Sequence, residues 1–186
     1  MASERRRPRK HKGLVVVNTG HGKGKTTASM GLALRAAGNR LRVLIVQFIK
    51  GQWKSGEREA LQHIPGVDVH VMGRGFTIDR LRDPRISDEE HHQAATQAFQ
   101  YARDQMLSGA YQMVILDEII GSIKADLVTL DEVLQLIRDK PPALHLVLTG
   151  RDAPPALIEA ADLVTEMREI KHPYQQGITA QRGIEF

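Results

Sequence analysis

The chain has 186 residues, of which 41% are hydrophobic and 26% charged, and this composition fits one globular domain with a substantial core. It has no cysteine, which excludes disulfide bonds, a thiolate metal site and a thiol nucleophile. No apolar stretch is long enough for a membrane-spanning helix, and the N-terminus lacks the apolar segment of a secretory signal. We therefore expect a cytoplasmic protein with no membrane partner.

The net charge of +4 is unevenly distributed along the chain. Residues 1–12, MASERRRPRKHK, hold six Lys or Arg and one acid, for a charge of +5, whereas the other residues hold 20 Lys or Arg and 21 Asp or Glu, for −1. Such a basic run could contact nucleic acid, but its composition is more typical of a solvated leader. We predict a disordered basic leader at 1–12 and a folded domain at 13–186, and we do not expect nucleic acid as a partner.

A glycine-rich motif follows the first predicted strand. Residues 14–18 form an apolar run that predicts a buried strand, and residues 25–37 predict a helix that ends at Gly38. Residues 19–27 between them have the sequence TGHGKGKTT, which is typical of a P-loop. Its glycines let successive N–H groups point at phosphate oxygens, Lys25 adds a cation, and the Thr26 hydroxyl can bind a divalent metal. The N-terminal end of the helix attracts the same anion.

The spacing of this P-loop is unusual. In the standard motif four residues separate the first glycine from the Gly-Lys-Thr, and here that first position is Thr19. Counted from Gly20, the loop is one residue short. The departure argues against the commonest P-loop kinases and motors.

The rest of the chain alternates strands with helices. In chain order, we predict a strand at 41–48, a short helix at 56–63, a strand at 67–72 and a loop through 83–84. Ser87 and Glu90 form a capping-box pattern that begins a helix ending near residue 108. There follow a strand at 113–116, a helix at 130–138, a strand at 144–148, a short helix at 155–161, a strand at 163–170 and an irregular segment at 172–186. This alternation predicts an α/β fold with a mostly parallel sheet covered by helices on both faces.

Ligands of such sheets bind beyond the carboxyl ends of the strands. This rule gathers one candidate site from the segments 20–27, 47–50, 73–77, 117–118, 149–151 and 171–172. Residues 114–118, VILDE, have a Walker B pattern, in which a buried strand delivers carboxylates beside the P-loop. Mg²⁺ on a triphosphate needs an oxygen ligand opposite the loop threonine, and Asp117 or Glu118 supplies one. A plain turn with a charge pair at a strand end would leave the GKTT helix start unexplained.

These residues alone do not decide the reaction. A kinase needs an acceptor hydroxyl and a group that orients it, and a hydrolase needs a positioned water. Asp117 or Glu118 could serve either purpose.

The chain resembles the ATP:corrinoid adenosyltransferases of bacterial cobalamin biosynthesis over residues 13–186. The resemblance rests on separated motifs in the family's order: TGHGKGKTT at 19–27, VQFIKG at 46–51, GER at 56–58, GFT at 75–77, LDE at 116–118, LTGR at 148–151 and KHPY…GITA…GIEF at 171–186. The short P-loop spacing is itself a trait of this family. The resemblance implies a single RecA-like P-loop domain.

The implied reaction moves the 5′-deoxyadenosyl group of ATP to cobalt. A Co(I) corrinoid attacks the ribose C5′, and inorganic triphosphate leaves. Charge develops on the leaving oxygen, where loop N–H groups, Lys25 and Mg²⁺ stabilise it. No general base is needed because the nucleophile has no proton to lose. The resemblance implies that ATP binds in the opposite orientation to ATP in ordinary P-loop enzymes, and the altered loop spacing fits that orientation.

The resemblance also implies roles for individual residues. The triphosphate-binding loop consists of Gly20, His21, Gly22, Lys23, Gly24, Lys25, Thr26 and Thr27. Lys25, Thr26 and Glu118 are then the catalytic residues, with Thr26 and Glu118 as ligands of Mg²⁺ (or Mn²⁺). Phe76 matches an aromatic residue that packs near the lower face of the corrinoid and helps to displace its lower axial ligand.

One departure from the family lies beside Phe76. Ile78 stands where family members commonly have tryptophan, and residues 79–82 differ from the usual polar run. An aliphatic side chain can still fill a hydrophobic lower face.

The partners implied by the resemblance are a corrinoid substrate, a flavoprotein reductant and a second copy of the chain in a homodimer. Two alternatives stay open at this point. One is a small P-loop kinase that uses the same ATP site, and the other is a nucleotide-dependent nucleic-acid-binding or switch protein that uses the basic leader. A kinase would yield ADP, and the −1 charge of the body weighs against nucleic-acid binding.

Overall fold

The computed structural model describes residues 12–49, 55–75, 83 and 85–185. Residues 1–11 of the predicted leader, and the positions Phe76 and Ile78, lie outside this part of the chain. The strands are β1 (Val15–Thr19), β2 (Val43–Gln47), β3 (Val67–Val71), β4 (Met113–Asp117), β5 (His145–Thr149) and β6 (Leu163–Glu166). The helices are α1 (Lys25–Gly38), α2 (Gly56–Gln62), α3 (Asp88–Leu107), α4 (Ile119–Lys124), α5 (Leu130–Asp139) and α6 (Pro155–Ala160), and a 3₁₀ turn spans Pro173–Gln176.

The six strands form one parallel sheet in the order β3-β2-β4-β5-β1-β6. The register pairs Asn18 with Thr149, and Gln47 with Asp117, at the carboxyl ends of their strands. Strand β5 lies between β1 and β4, so a single strand separates the start of the P-loop from Asp117. The predicted RecA-like α/β fold is confirmed.

Helices cover both faces of the sheet because successive strand residues point to opposite sides. One face packs against α3, α5 and α6 through a cluster that includes Val17, Val46, Leu116, Leu148, Ala98, Leu136 and Leu157. The other face packs against α1 and α2 through Val16, Ile45, Ile115, Val147, Met30, Ala33 and Leu61. The central strands are buried along their whole length, which explains why they are continuous apolar runs in the sequence.

Two elements differ from the sequence prediction. Helix α4 was not predicted, since six residues are too short to show a helical period, and its N-cap residue Glu118 has φ 64°, a left-handed conformation that is uncommon outside glycine. Strand β6 ends at Glu166 rather than at residue 170.

The predicted capping box is confirmed, because the Ser87 hydroxyl accepts from the Glu90 amide while the Ser87 amide donates to Glu90 Oε2. Within the described ranges, no helix has the length and apolar character that crossing a membrane requires.

Candidate active site at the carboxyl ends of the strands

The glycines of the P-loop are required by the chain that packs against it. A Cβ on Gly20 would lie 2.4 Å from the Met167 carbonyl oxygen, and one on Gly22 would lie 2.7 Å from the carbonyl carbon of Arg168. Gly20 and Gly24 also have φ of 98° and 112°, which other residues rarely adopt. The segment that follows β6 therefore forms one wall of the loop.

Only part of the loop presents its amides to a phosphate. The Gly22 N–H donates to the Met167 carbonyl at 2.7 Å, so this amide is turned toward the protein. The first hydrogen bond within α1 runs from Ala28 N to Gly24 O at 2.7 Å, which leaves the N–H groups of Gly24 to Thr27 without an acceptor inside the helix. These four amides lie at the positive end of α1, where they are able to donate to an anion.

Lys25 lies inside the loop and is only 7% exposed. Its Nζ donates to the carbonyl oxygens of Gly20 at 2.7 Å and Gly22 at 2.8 Å. Burial lowers the pKa of Lys25, and the negative charge of Glu118 partly offsets this effect. The ammonium is thus held at the loop, where a phosphate oxygen could replace a carbonyl oxygen as its acceptor.

Asp117 joins the loop to three strands. Its carboxylate is fully buried, and Oδ1 accepts from the Thr26 hydroxyl at 3.0 Å and from the Thr149 hydroxyl at 2.9 Å. Oδ2 accepts from Gln47 Nε2 at 2.9 Å. The P-loop threonine and the end of β4 therefore meet, as the sequence predicted, although 91 residues separate them. The side chains of Gln47 and Thr149 had no predicted role, and the available signal was a polar residue ending each buried strand.

Glu118 follows β4 directly and has a left-handed backbone conformation. Its amide donates to Thr149 Oγ1 at 2.8 Å, and its Oε2 lies 3.2 Å from the point where a Cβ on Gly121 would stand. Its charge is the largest of those that raise the pKa of Lys25. Asp117 and Glu118 therefore differ in their surroundings: the first is buried and accepts three hydrogen bonds, whereas the charge of the second acts on the pKa of Lys25.

The family resemblance assigns His21 and Lys23 to ATP binding. In the structure each of them contacts a protein carboxylate. His21 Nε2 lies 2.9 Å from Asp152 Oδ1, and Lys124 also pairs with Asp152. The hydrogen bond from Lys124 lowers the pKa of Asp152. Lys23 Nζ lies 2.5 Å from Glu185 Oε2.

The other predicted segments reach the same edge of the sheet to different extents. The amide of Gly73 donates to the Gln47 carbonyl at 3.1 Å, which brings the start of segment 73–77 to the end of β2. Arg151 is close enough that its charge lowers the pKa of Lys25. His172 Nδ1 accepts from the Tyr174 amide and so caps the 3₁₀ turn. Phe76, the predicted corrinoid residue, is outside the described residues.

The donors at this site suit a hard divalent cation. Thr26 and Glu118 offer oxygen ligands, which Mg²⁺ prefers, usually in combination with substrate phosphates. In the described residues no group of three or more His, Cys, Asp or Glu side chains could hold a metal ion. A cation at this site would therefore depend on phosphate oxygens for part of its coordination.

Comparison with known proteins agrees with this geometry. The family model for ATP:corrinoid adenosyltransferase BtuR/CobO/CobP matches residues 11–186. A corrinoid adenosyltransferase from Sinorhizobium sp. is 42% identical over 181 residues, which are 94% of this chain and 81% of that protein. Corrinoid adenosyltransferases from Pseudomonas aeruginosa (41% identical, 96% of this chain, 86% of that protein) and Escherichia coli K12 (39%, 94% and 86%) are similar over comparable lengths. This chain therefore belongs to the ATP:corrinoid adenosyltransferase family.

Proposed function

We propose that this enzyme transfers the 5′-deoxyadenosyl group of ATP to the Co(I) of a corrinoid and releases inorganic triphosphate. The observation that carries the proposal is the hydrogen bond between Thr26 and Asp117, which brings the P-loop threonine against the Walker B aspartate in a chain of this family. The site binds the part of ATP that leaves. The bond that breaks joins the ribose C5′ to the oxygen of the triphosphate.

The loop binds the triphosphate and stabilises the charge it gains. The amides of Gly24 to Thr27 donate to phosphate oxygens, aided by the dipole of α1. Lys25 exchanges the carbonyl oxygens of Gly20 and Gly22 for a phosphate oxygen when ATP binds. Because these donors are fixed before the reaction, they favour the more highly charged leaving group.

Asp117 acts in this reaction as a fixed acceptor rather than as a base. Three donors already occupy its oxygens: the hydroxyls of Thr26 and Thr149 and Nε2 of Gln47. The reaction requires no proton transfer, since Co(I) attacks through an electron pair on the metal. The arrangement of Asp117 therefore suits alkyl transfer to cobalt.

Mg²⁺ (or Mn²⁺) would be held by Thr26 and Glu118 together with the triphosphate, and it would neutralise charge on the leaving group. Asp117 orients the Thr26 hydroxyl for this purpose. The charge of Glu118 also raises the pKa of Lys25 against the effect of burial, which favours the charged form of this lysine.

The remaining parts of the proposal follow from the family. Phe76 packs against the lower face of the corrinoid, a flavoprotein supplies the electron that forms Co(I), and two copies of the chain form a homodimer. The protein acts in the cytoplasm, and residues 13–186 form its single P-loop domain.

The proposal is tested by mixing the protein with Mg-ATP and a chemically reduced corrinoid under anaerobic conditions. Cobinamide and cobalamin serve as substrates in parallel reactions. We expect the absorbance spectrum of an adenosylcorrinoid, which bright light abolishes because it cleaves the cobalt–carbon bond homolytically and leaves Co(II). A reaction without ATP provides the control. Unchanged spectra with both fully reduced corrinoids would refute the proposal.

A further inference from the structure

The segment after β6 returns to the P-loop with little apolar packing to hold it. Residues 168–185 are almost all exposed, and the exposure of their large apolar side chains reaches 90% at Ile170 and 81% at Ile184. Because so little apolar surface is buried, hydrophobic contacts contribute little to the position of this tail. Its placement must depend on polar contacts.

The first contact is between main chains. Met167 N donates to the Thr19 carbonyl at 2.8 Å, and Gly22 N donates to the Met167 carbonyl at 2.7 Å. These bonds extend the pairing of β1 with β6 into the P-loop. They fix the beginning of the tail.

The second contact is an ion pair at the far end of the tail. Lys23 Nζ lies 2.5 Å from Glu185 Oε2, and the side chain of Glu185 is only 12% exposed, compared with 54% for Lys23. A turn in which Glu185 N donates to the Gln181 carbonyl at 2.8 Å directs the residue inward. An exposed ion pair contributes little to stability, but a sheltered carboxylate that loses its partner is costly.

The two lysines of the loop therefore face different acceptors. Lys25 Nζ is bound by carbonyl oxygens inside the loop, whereas Lys23 Nζ is bound by the tail. We propose that Lys23 and Glu185 form a clasp that holds residues 168–185 against the P-loop, and that Lys23 is a positioning residue rather than a phosphate ligand. This role extends the proposed function, because the clasp acts on the ATP site.

The clasp fixes the loop immediately before its anion-binding amides. The amide of Gly22 is bonded to the Met167 carbonyl, and the ammonium of Lys23 is paired with Glu185. The two residues that precede Gly24 are therefore both fixed by the tail. Opening the clasp would loosen the amides of Gly24 to Thr27 and reduce their preorganisation. We expect weaker ATP binding and a higher KM for ATP, with little change in kcat.

The two possible roles of Lys23 predict opposite effects of Glu185→Gln. If Lys23 positions the loop, loss of the Glu185 charge weakens ATP binding, by about three- to tenfold. If Lys23 is a phosphate ligand that Glu185 restrains, the same substitution releases the ammonium and strengthens binding. The dissociation constant of Mg-ATP is measured by calorimetry for Glu185→Gln, Lys23→Met and the double variant.

The clasp predicts that both single variants weaken binding to a similar extent and that the double variant is no weaker, since one interaction is lost in all three. Hydrogen exchange at the amides of residues 168–185 should increase in each. Glu169→Gln is the matched control, because Glu169 is a tail carboxylate whose side chain contacts Gln175 within the tail. It should leave the affinity for Mg-ATP unchanged.

Tighter or unchanged ATP binding in Glu185→Gln would overturn the clasp, and so would additive losses in the double variant or unchanged exchange in the tail. These measurements need no corrinoid. If they succeed while no adenosylcorrinoid forms, the proposed function fails and the clasp stands.

Discussion

Lys25 is the buried cation of the P-loop, and its Nζ donates to two carbonyl oxygens, those of Gly20 and Gly22. We expect Lys25→Met to lower kcat/KM by about 100-fold or more, because it removes a charged donor that stabilises the leaving triphosphate. Steady-state adenosylation rates measure this loss. Lys140→Met is a suitable control, since Lys140 also donates to carbonyl oxygens, those of Gly13, Pro141 and Leu144. A comparable loss in the control would contradict a specific role for Lys25.

The burial of Lys25 also makes stability depend on pH. Its pKa lies below the ordinary value of 10.5, so between the folded and unfolded pKa values the unfolded chain binds more protons. The free energy of unfolding contributed by this group therefore rises as the pH increases through that window. Urea unfolding from neutral pH toward 10.5 should show the stability of Lys25→Met relative to wild type falling as the pH rises. A constant difference would contradict the prediction.

The side-chain amide of Gln47 is buried beside Asp117, and its two polar atoms have different surroundings. Its Oε1 has no hydrogen-bond partner within the described residues, and its Nε2 donates to Asp117. We expect Gln47→Met to lower kcat/KM by about tenfold or more, as losses of supporting contacts around metal sites do. The free energy of unfolding should stay within about 1 kcal/mol of wild type, because an unpaired acceptor disappears together with the lost bond.

The controls for this variant are simple. Gln93→Met changes an exposed glutamine on α3 whose side chain contacts Glu89, and it should leave activity unchanged. Wild-type activity in Gln47→Met would show that Thr26 and Thr149 alone orient Asp117.

At the scale of elements, the P-loop packs so closely against the segment after β6 that Gly20 and Gly22 have no space for a side chain. A Cβ on Gly22 would meet backbone atoms of Met167, Arg168 and Glu169 at 2.7–2.9 Å. We expect Gly22→Ala to displace this segment and weaken Mg-ATP binding by about tenfold. Calorimetric titration with Mg-ATP measures the change.

Gly31 provides the matched control for Gly22→Ala. It lies inside α1 with nothing within 4 Å of its added Cβ. Gly31→Ala should raise the free energy of unfolding by about 0.5–1 kcal/mol, because alanine loses less conformational entropy in a helix. Normal ATP affinity in Gly22→Ala would contradict the close packing of the loop.

The sequence predicts the elements of this fold well where their signals are local. Buried parallel strands are continuous apolar runs, and the capping box at Ser87 marks the start of α3. Helix α4 could not be predicted, because it depends on a left-handed Glu118 that is stabilised by the Thr149 hydroxyl from another strand. The early end of β6 also depends on distant residues, since the next residue, Met167, has its N–H bonded to the Thr19 carbonyl and its carbonyl bonded to the Gly22 N–H.

The candidate site divides in the same way. The meeting of Thr26 with Asp117 follows from the rule for parallel sheets, so two motifs were enough to predict it. The contacts of His21 with Asp152 and of Lys23 with Glu185 join distant parts of the chain, and no motif in the sequence predicts them. The loop motif therefore identifies the site but not which of its side chains face the phosphates.

At the scale of the whole molecule, we propose that the enzyme uses the carboxyl edge of one parallel sheet for two tasks. The P-loop follows β1, and Asp117 and Glu118 stand at the end of β4, where we propose that the metal-triphosphate binds. The chain leaving β3 is tied to Gln47, the same residue that holds Asp117, and it leads toward Phe76. Gln47 thus connects the triphosphate site with the segment that we propose packs against the corrinoid.

The most direct test of this account is the phosphorus product of a single turnover. Wild-type enzyme is mixed anaerobically with Mg-ATP and a limiting amount of Co(I) cobinamide, and the phosphates are resolved by ³¹P nuclear magnetic resonance. The account predicts one inorganic triphosphate for each adenosylcorrinoid formed, with no ADP. Formation of ADP and orthophosphate in place of triphosphate would contradict it, because the P-loop would then serve phosphoryl transfer.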